Sequence, residues 1–383
     1  MSFARYITRS GLSIVALGLL LSVAGSAGAR QTSANGDALF EPDYRLALPG
    51  YTYAFPRDHG SHPDYKLEWW YYTGHLDAED GRRFGYELTF FRIGMDRRSR
   101  NPSAWSVDEL HVAHFALGDI GNDAFRFWER VNRRGPGIAH AEEGTLDVRN
   151  ESWTARLEDG AMKLRAYAGG ILLELDLTSR KPPVIHGTGG ISQKADGVGQ
   201  ASHYYSMTRM ETSGLVSIDG EAVSVRGESW MDHEFGTNQL APEQVGWDWF
   251  SLQLDTGEEL MLYQLRHRDG AVDRNSSGTV VSEDGGSRHL TAGQFAVRSL
   301  RDWASPKSEA VYRLDWEIEV PALEASLRIV PLMDDQELVT TRSTGIAYWE
   351  GAVRIEGVWR GRPVTGRGYV ELTGYSEDYR PGV

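Results

Sequence analysis

The sequence predicts an all-β protein, and three observations support this fold class. Apolar and polar residues alternate with a period of two in several segments, most clearly over residues 314–320 and 173–177. This alternation is typical of strands that have one face in a core and the other in water. Turn signals such as Asp219-Gly220 and Asp269-Gly270 separate these segments and predict hairpins. No long amphipathic helix is recognisable, so the pattern indicates an antiparallel sandwich or barrel.

An internal echo indicates that the fold is duplicated. The chain has 383 residues, which is more than one hydrophobic core usually organises. Residues 69–77 read WWYYTGHLD, and residues 247–255 read WDWFSLQLD. A second echo closes each half, because residues 225–232 and 364–371 share a Val-x-Gly-x-x-aromatic pattern that ends on an acid. Two tandem antiparallel β-barrels are therefore predicted, with chance similarity between two hairpins as the alternative.

The first residues differ from the rest and predict a cleaved signal peptide. Arg5 and Arg9 precede an apolar run over residues 11–23, and small residues end at Ala29, where cleavage is expected. A secreted or periplasmic protein follows from this pattern. A membrane anchor is the alternative, but the run is shorter than the ~20 residues of a spanning helix, and no other stretch could span. The predicted organisation is a signal peptide over 1–29, an N-terminal extension over 30–52, a first barrel over 53–240 and a second barrel over 241–383.

The charge and the cysteine count narrow the class of partner. The formal net charge is −14, and binding to nucleic-acid phosphates needs a basic surface, so no nucleic-acid partner is predicted. A neutral or hydrophobic small molecule is the ligand class that fits best. The chain has no cysteine, which excludes disulfides and a lipid anchor on cysteine.

Four consecutive aromatic residues, 69–72, form the first candidate site. On a strand, two of them point to each face, so one pair can fill a barrel while the other covers its outside or a domain interface. We predict that Trp69 and Tyr71, with their echoes Trp247 and Trp249, contact a substrate. Plain core packing is the alternative for these aromatic side chains.

An acid beside a tryptophan forms the second candidate site. On a strand, Trp230, Asp232 and Glu234 share one face. A carboxyl that faces a barrel interior beside tryptophan has its pKa raised by desolvation, and it can then act as a general acid near neutral pH. The alternative is the end of a surface strand with solvated charges. Upstream, His203 and Tyr205 share a face of their own strand. They are candidate site residues only if that face lies close to Asp232.

Other chemistry has little support in the sequence. His111 and His114 lie in a predicted strand, where their spacing puts the two rings on opposite faces, so they make a poor zinc pair. No Gly-x-Ser-x-Gly nucleophile motif and no phosphate-binding glycine loop occur. We therefore predict neither a metal nor a cofactor.

Four segments of the chain carry a resemblance to a known family: EWWYYTG at 68–74, KPPVIHG at 181–187, WMDHEFG at 230–236 and GWDWF at 246–250. Through these segments the chain resembles the AttH and carotenoid 1,2-hydratase family, from about Tyr53 to Tyr375. The resemblance implies two lipocalin-like barrels in tandem. It also implies a hydro-lyase that adds water to an isolated double bond of a carotenoid end or a prenylated phenol, without a cofactor. Many exported members of the family are labelled secreted hydrolases.

The resemblance also implies roles for four residues. Trp230-x-Asp232 matches an aromatic-x-Asp motif that supplies the proton, and His203-x-Tyr205 matches a His-x-aromatic motif upstream. Asp232 would then protonate the alkene, Trp230 and Tyr205 would stabilise the resulting cation, and His203 would orient or deprotonate the water. Two alternatives stay open: a lipocalin-like protein that only binds an apolar ligand, and an esterase-type hydrolase, against which the missing nucleophile motif counts.

Overall fold

A computed structural model of the protein describes residues 40–41, 44–95, 107–238 and 240–376, with only the backbone described for residues 40 and 41. The predicted signal peptide lies outside these residues. The described residues form 25 strands and four single turns of 3-10 helix. The strands before residue 240 are β1 (Phe40–Glu41), β2 (Tyr44–Arg45), β3 (Leu67–Ala78), β4 (Arg83–Gly94), β5 (Glu109–Asp119), β6 (Ala124–Arg133), β7 (Ala139–Ala141), β8 (Asp147–Asn150), β9 (Trp153–Glu158), β10 (Ala161–Ala168), β11 (Ile171–Ser179), β12 (Val184–Ile185), β13 (Ser192–Gln193), β14 (Ala201–Ile218) and β15 (Glu221–Gly236).

The strands after residue 240 are β16 (Gln244–Leu254), β17 (Glu259–His267), β18 (Ser277–Val281), β19 (Ser287–Thr291), β20 (Ala296–Ala304), β21 (Val311–Val320), β22 (Ala325–Pro331), β23 (Glu337–Val339), β24 (Ala347–Trp359) and β25 (Arg362–Leu372). The 3-10 turns span Arg57–His59, Ile120–Asn122, Ala292–Gln294 and Pro321–Leu323. Within the described residues, no helix has the length and apolar content needed to cross a membrane.

The first sheet is antiparallel and curls into a barrel-like shape. Its main path follows the order β6-β5-β4-β3-β15-β14-β11-β10-β9-β8-β7. Side chains join its two ends, because Arg130 on β6 donates to the carbonyl oxygen of Asn150 on β8 at 2.8 Å. Asn132 on β6 donates to the side-chain oxygen of Asn150 at 2.7 Å. Buried apolar side chains fill the interior, including Trp70 and Tyr72.

The second sheet repeats this architecture with fewer strands. Its main path follows the order β19-β18-β17-β16-β25-β24-β22-β21-β20, and it encloses its own buried core around Trp316 and Trp349. The chain passes from the first sheet to the second between Gly236 and Gln244. The predicted all-β fold of two tandem lipocalin-like barrels is confirmed.

One hairpin sets the positions that matter most for the site. Asp219 and Gly220 both adopt positive φ, at 52° and 89°, as a tight hairpin turn between twisted strands requires. The predicted Asp-Gly turn is thus present and joins β14 to β15. The register that begins at this turn shifts by one residue between Met207 and Met210, and this shift places Ser206 directly opposite Asp232.

The four consecutive aromatic residues divide between two environments, as the alternation predicts. Trp70 and Tyr72 point into the first barrel and are fully buried there. Trp69 and Tyr71 point to the outside of that barrel and pack with Trp249 in a separate aromatic cluster between the two sheets. This cluster is where the two barrels meet.

Candidate active site

A cavity lies between the two barrels, and both sheets contribute to its walls. Its empty space is about 1000 Å³ when the open solvent at its mouth is included. The rings that line it are those of Trp69, Tyr71, Phe91, His114, Tyr204, Trp247, Trp249, Tyr263 and Tyr348. The carboxyl groups that line it are Asp232, Glu234, Glu350 and Glu371, and Lys194 contributes an ammonium group. An aromatic cavity with a few polar groups is typical of a small-molecule site.

Two rows of side chains form the walls of this cavity. Directly opposed residues on neighbouring antiparallel strands point to the same face of a sheet. The row on the first sheet contains Ser206, Asp232, Tyr71, Thr89 and His114. The row on the second sheet contains Tyr263, Trp249, Glu371 and Glu350. Each wall therefore carries at least one acid among aromatic side chains.

Asp232 is the acid of the cavity that accepts hydrogen bonds from three side chains. Its side chain is buried, and three donors reach its two oxygens. Tyr204 donates to Oδ2 at 2.6 Å, and the indole of Trp230 donates to Oδ1 at 2.6 Å. The hydroxyl of Ser206 also donates to Oδ1. These bonds fix the orientation of the carboxyl group at the cavity wall.

Burial raises the pKa of Asp232 to about 7, even though its hydrogen bonds with Ser206, Tyr204 and Trp230 lower it. The nearby charge of Glu234 raises the pKa further. A carboxyl group with this pKa is present in both protonation states at neutral pH. It can therefore donate a proton or accept one, as a general acid or base must.

A second layer of side chains supports the groups that hold Asp232. Trp249 on the second sheet donates to the hydroxyl of Tyr204 at 3.0 Å. The Nε2 atom of His186 lies 2.6 Å from the hydroxyl oxygen of Ser206. Because Ser206 donates its own proton to Asp232, Nε2 of His186 must be the donor. Burial, with a contribution from the Lys194 charge, lowers the pKa of His186 to about 3, so this ring is neutral.

Lys194 and Glu234 form an ion pair at the edge of the cavity. Their charged atoms are 3.0 Å apart, and the ammonium group lies 4.3 Å from the ring centroid of Tyr263. Burial alone would lower the pKa of Lys194, but the neighbouring Glu234 outweighs burial and raises it. Lys194 therefore keeps its positive charge at the edge of the cavity, with Glu234 as its partner.

The structure brings together six of the eight residues that the sequence predicts for the site. The predicted substrate-binding residues Trp69, Tyr71, Trp247 and Trp249 line the cavity with Asp232. Trp230 packs behind Asp232 and donates to it. Since these contacts come from both barrels, the site lies between the barrels.

His203 and Tyr205 are not part of this arrangement. On β14, Ser206 and Tyr204 share the face of Asp232, and the alternation of the strand sends His203 and Tyr205 to the other face. Tyr205 is buried inside the first barrel, where its hydroxyl lies 2.7 Å from Nδ1 of His59. His203 contacts the carbonyl oxygen of Gly190 at 3.0 Å. The predicted grouping of these two residues with Asp232 is therefore corrected.

His203 and Tyr205 lie on the face of the sheet that carries a separate polar network, which is centred on Glu68. Oε1 of Glu68 lies 2.8 Å from Nδ1 of His62 and 2.9 Å from Nε2 of His233. His62, Glu68 and His233 are the three described residues whose ligand atoms are close enough to hold a metal ion. The carboxylate already forms an ion pair with Arg92 at 2.9 Å and accepts the hydroxyl proton of Ser61 at 3.0 Å. We interpret this group as a structural network, because its bonds are satisfied within the protein.

Several residues of the site do not stand out in the sequence. Tyr204 and Ser206 alternate with His203 and Tyr205 in one segment, and the segment alone does not show which of these two faces meets Asp232. His186 lies in the irregular segment after β12, and nothing in the neighbouring sequence indicates its contact with Ser206. Lys194 likewise follows the short strand β13. Their positions depend on tertiary packing, which the strand pattern does not contain.

Two serines lie within hydrogen-bond distance of a histidine at this site, but neither is arranged as a nucleophile. Ser206 donates its proton to Asp232. Ser343 lies 2.9 Å from Nε2 of His114 and donates its proton to Glu129 at 2.5 Å. Burial lowers the pKa of His114 to about 3, as with His186, so each ring is a poor base. This geometry does not suit serine-based ester hydrolysis.

The sequence profile of the AttH-like family matches residues 46–375, which is most of the chain. The chain belongs to the AttH-like family. A protein from Nitrosomonas europaea that was assigned to AttH has a solved structure and is 36% identical, with a TM-score of 0.79. That alignment covers 87% of this chain and 99% of the other. The predicted family is thereby confirmed.

Two more distant proteins are also similar to this chain. Kievitone hydratase from Nectria haematococca is 15% identical with a TM-score of 0.65, over 87% of this chain and 98% of that one. At this identity the likeness shows the shared fold. The dehydratase asqC of Emericella nidulans is 20% identical over 252 residues, which is 63% of this chain and 66% of that enzyme. The match thus spans just under two thirds of the dehydratase.

Proposed function

We propose that this protein is an exported, cofactor-independent hydro-lyase that adds water to a carbon–carbon double bond of an uncharged, largely apolar substrate. The reaction takes place in the cavity between the barrels. Asp232 is the acid. The observation that carries this proposal is one buried carboxyl group, held by three donors at the wall of an aromatic cavity, whose burial raises its pKa to about 7.

The chemistry of hydration explains why these features belong together. An unactivated alkene is protonated only by a neutral acid that is aimed at one of its carbons, away from bulk water. Asp232 transfers its proton, and a carbocation forms at the neighbouring carbon. The faces of nearby rings, among them Tyr71 and Trp249, stabilise this cation by about 1–2 kcal/mol each when they are desolvated. Water then bonds to the cation and loses a proton.

The composition of the cavity supports an uncharged substrate. Its walls are mainly aromatic, and its four carboxyl groups face one ammonium group, Lys194, among the described residues. An anionic ligand would have to compete with Glu234 for this ammonium group, because the charged atoms of Lys194 and Glu234 lie 3.0 Å apart. The name of the related dehydratase fits a hydro-lyase, since hydration and dehydration are the two directions of one reaction.

The experiment that tests the proposal measures the incorporation of water. The protein is purified from its own host, and bound material is extracted with organic solvent. The extract and a panel of neutral prenylated phenols and acyclic isoprenoids are then incubated with the protein in water labelled with heavy oxygen. We expect at least one alkene to become an alcohol that carries the label. A ligand that is bound but never altered would replace this proposal with a binding protein, and a cleaved ester would replace it with a hydrolase.

A further inference from the structure

The second barrel carries an acid at the position that corresponds to Asp232. Residues 225–232 and 364–371 follow the same pattern, which aligns Glu371 with Asp232. The register agrees with this alignment, because Asp232 lies opposite Tyr71 and Glu371 lies opposite Trp249, its counterpart. The duplicated fold therefore places one carboxyl group on each wall of the cavity.

Glu371, like Asp232, accepts a hydrogen bond from the indole of a tryptophan. The indole of Trp247 donates to Oε2 of Glu371 at 2.9 Å, as the indole of Trp230 donates to Asp232. Burial raises the pKa of Glu371 to about 7, against the lowering effect of the Trp247 bond, and the nearby charges of Asp232 and Glu234 raise it further. Each wall thus carries one acid whose pKa burial raises to about 7.

Glu350 is the immediate partner of Glu371. The two residues are directly opposed on β24 and β25, which puts their Cβ atoms about 4.5–5.5 Å apart. Burial, strengthened by the charge of Glu371, raises the pKa of Glu350 well above its usual value. The hydroxyl of Tyr71 donates to Oε2 of Glu350 at 2.8 Å. Because like charges so close cannot both ionise easily, Glu350 retains its proton while Glu371 ionises.

A further buried acid lies on the first sheet and has one carboxyl oxygen without a partner. Glu87 on β4 is completely buried, and its Oε2 atom has no hydrogen-bond partner. It points to the same face of β4 as Thr89, which lines the cavity. Burial raises the pKa of Glu87 to about 8, and the charge of the nearby Glu371 raises it further, against the lowering effect of a hydrogen bond from Thr89.

We propose that Glu371, with Glu350 as its neutral partner, is the base that takes the proton of the attacking water. This inference rests on the proposed hydration reaction. Asp232 gives its proton to one alkene carbon, the water oxygen bonds to the other, and a water proton passes to Glu371. Solvent then returns a proton to Asp232 and removes one from Glu371. The net reaction consumes the alkene and one water and releases no proton.

The pH dependence of turnover tests this assignment. Asp232 must be protonated, so the rate falls as the pH rises through its pKa. Glu371 must be ionised, so the rate falls as the pH drops through its pKa. We expect a bell-shaped profile for the wild type in the labelled-water assay. Glu371→Gln should lower kcat by about 10²-fold or more and abolish the decline at low pH.

Two further variants distinguish a role of Glu371 as the base from a purely structural role. Glu371→Asp keeps a carboxyl group and should restore the decline at low pH, which a purely structural role would not require. Glu356→Gln, on the exposed face of β24, should leave the profile unchanged. If the wild type turns over and Glu371→Gln keeps the wild-type kcat and both limbs of the pH profile, this inference is overturned while the proposed function stands. If no wild-type preparation incorporates labelled water, the proposed function fails and the base role of Glu371 fails with it.

Discussion

Replacement of Asp232 by asparagine is expected to lower kcat about 10³-fold, within the ~10²–10⁴-fold range of a general acid. Asparagine has nearly the same shape and can still accept hydrogen bonds from Ser206 and Trp230, but it cannot supply the proton. KM should change little, because the rings that line the cavity still bind the substrate. The measurement is the rate of label incorporation at several substrate concentrations.

A second variant tests whether the environment of Asp232 sets its acidity. The hydrogen bond from Tyr204 lowers the pKa of Asp232, so Tyr204→Phe should raise that pKa. The decline of the rate at high pH should then move to higher pH. An Asp232→Asn variant with wild-type turnover, or a Tyr204→Phe variant whose high-pH limb moves downward, would contradict the assigned acid.

Replacement of Arg92 by methionine is expected to lower the free energy of unfolding by about 3–5 kcal/mol. Arg92 and Glu68 are both almost completely buried, and their charged atoms are 2.9 Å apart. Removal of the guanidinium group takes the arginine partner away from the buried Glu68 carboxylate. It also removes donors to the carbonyl oxygens of His62 and Tyr65, at 2.9 and 2.6 Å. Denaturant unfolding of the two proteins measures the difference.

The matched control is an exposed ion pair in the same barrel. Arg165 and Glu174 lie 2.7 Å apart, with side chains that are 48% and 45% exposed. Arg165→Met should cost only about 0–1 kcal/mol, because water screens this pair. The double variant Arg92→Met with Glu68→Gln should recover part of the loss, since residue 68 then carries no charge. Equal costs for Arg92→Met and Arg165→Met would show that the Glu68 network does not stabilise the fold.

The fold was predictable because it depends on patterns within single strands. The period-two alternation locates strands, and it also separates Trp69 and Tyr71 from Trp70 and Tyr72 without any knowledge of partners. Trp230-x-Asp232 was identified for the same reason, since residues two apart on one strand share a face. The Asp219-Gly220 turn was visible as a hairpin signal.

The composition of the site was harder to predict because it depends on register between strands. The sequence shows that His203 and Tyr205 share a face, but not which face of β14 continues the face of Asp232 on β15. A shift of one residue exchanges the two faces, and the observed register places Ser206 beside Asp232. Glu371 was part of the recognised echo, but only the packing of the two barrels shows that it lies across a shared cavity.

The most direct test of the central claim is a titration of Asp232 itself. Aspartate labelled at the side-chain carboxyl carbon is followed by NMR as a function of pH, and the signal that is missing in Asp232→Asn is assigned to this residue. The account predicts a midpoint near the pKa of about 7 that burial produces. A midpoint near the ordinary aspartate value of about 3.9 would contradict it, because Asp232 would then be ionised at neutral pH and unable to protonate an alkene.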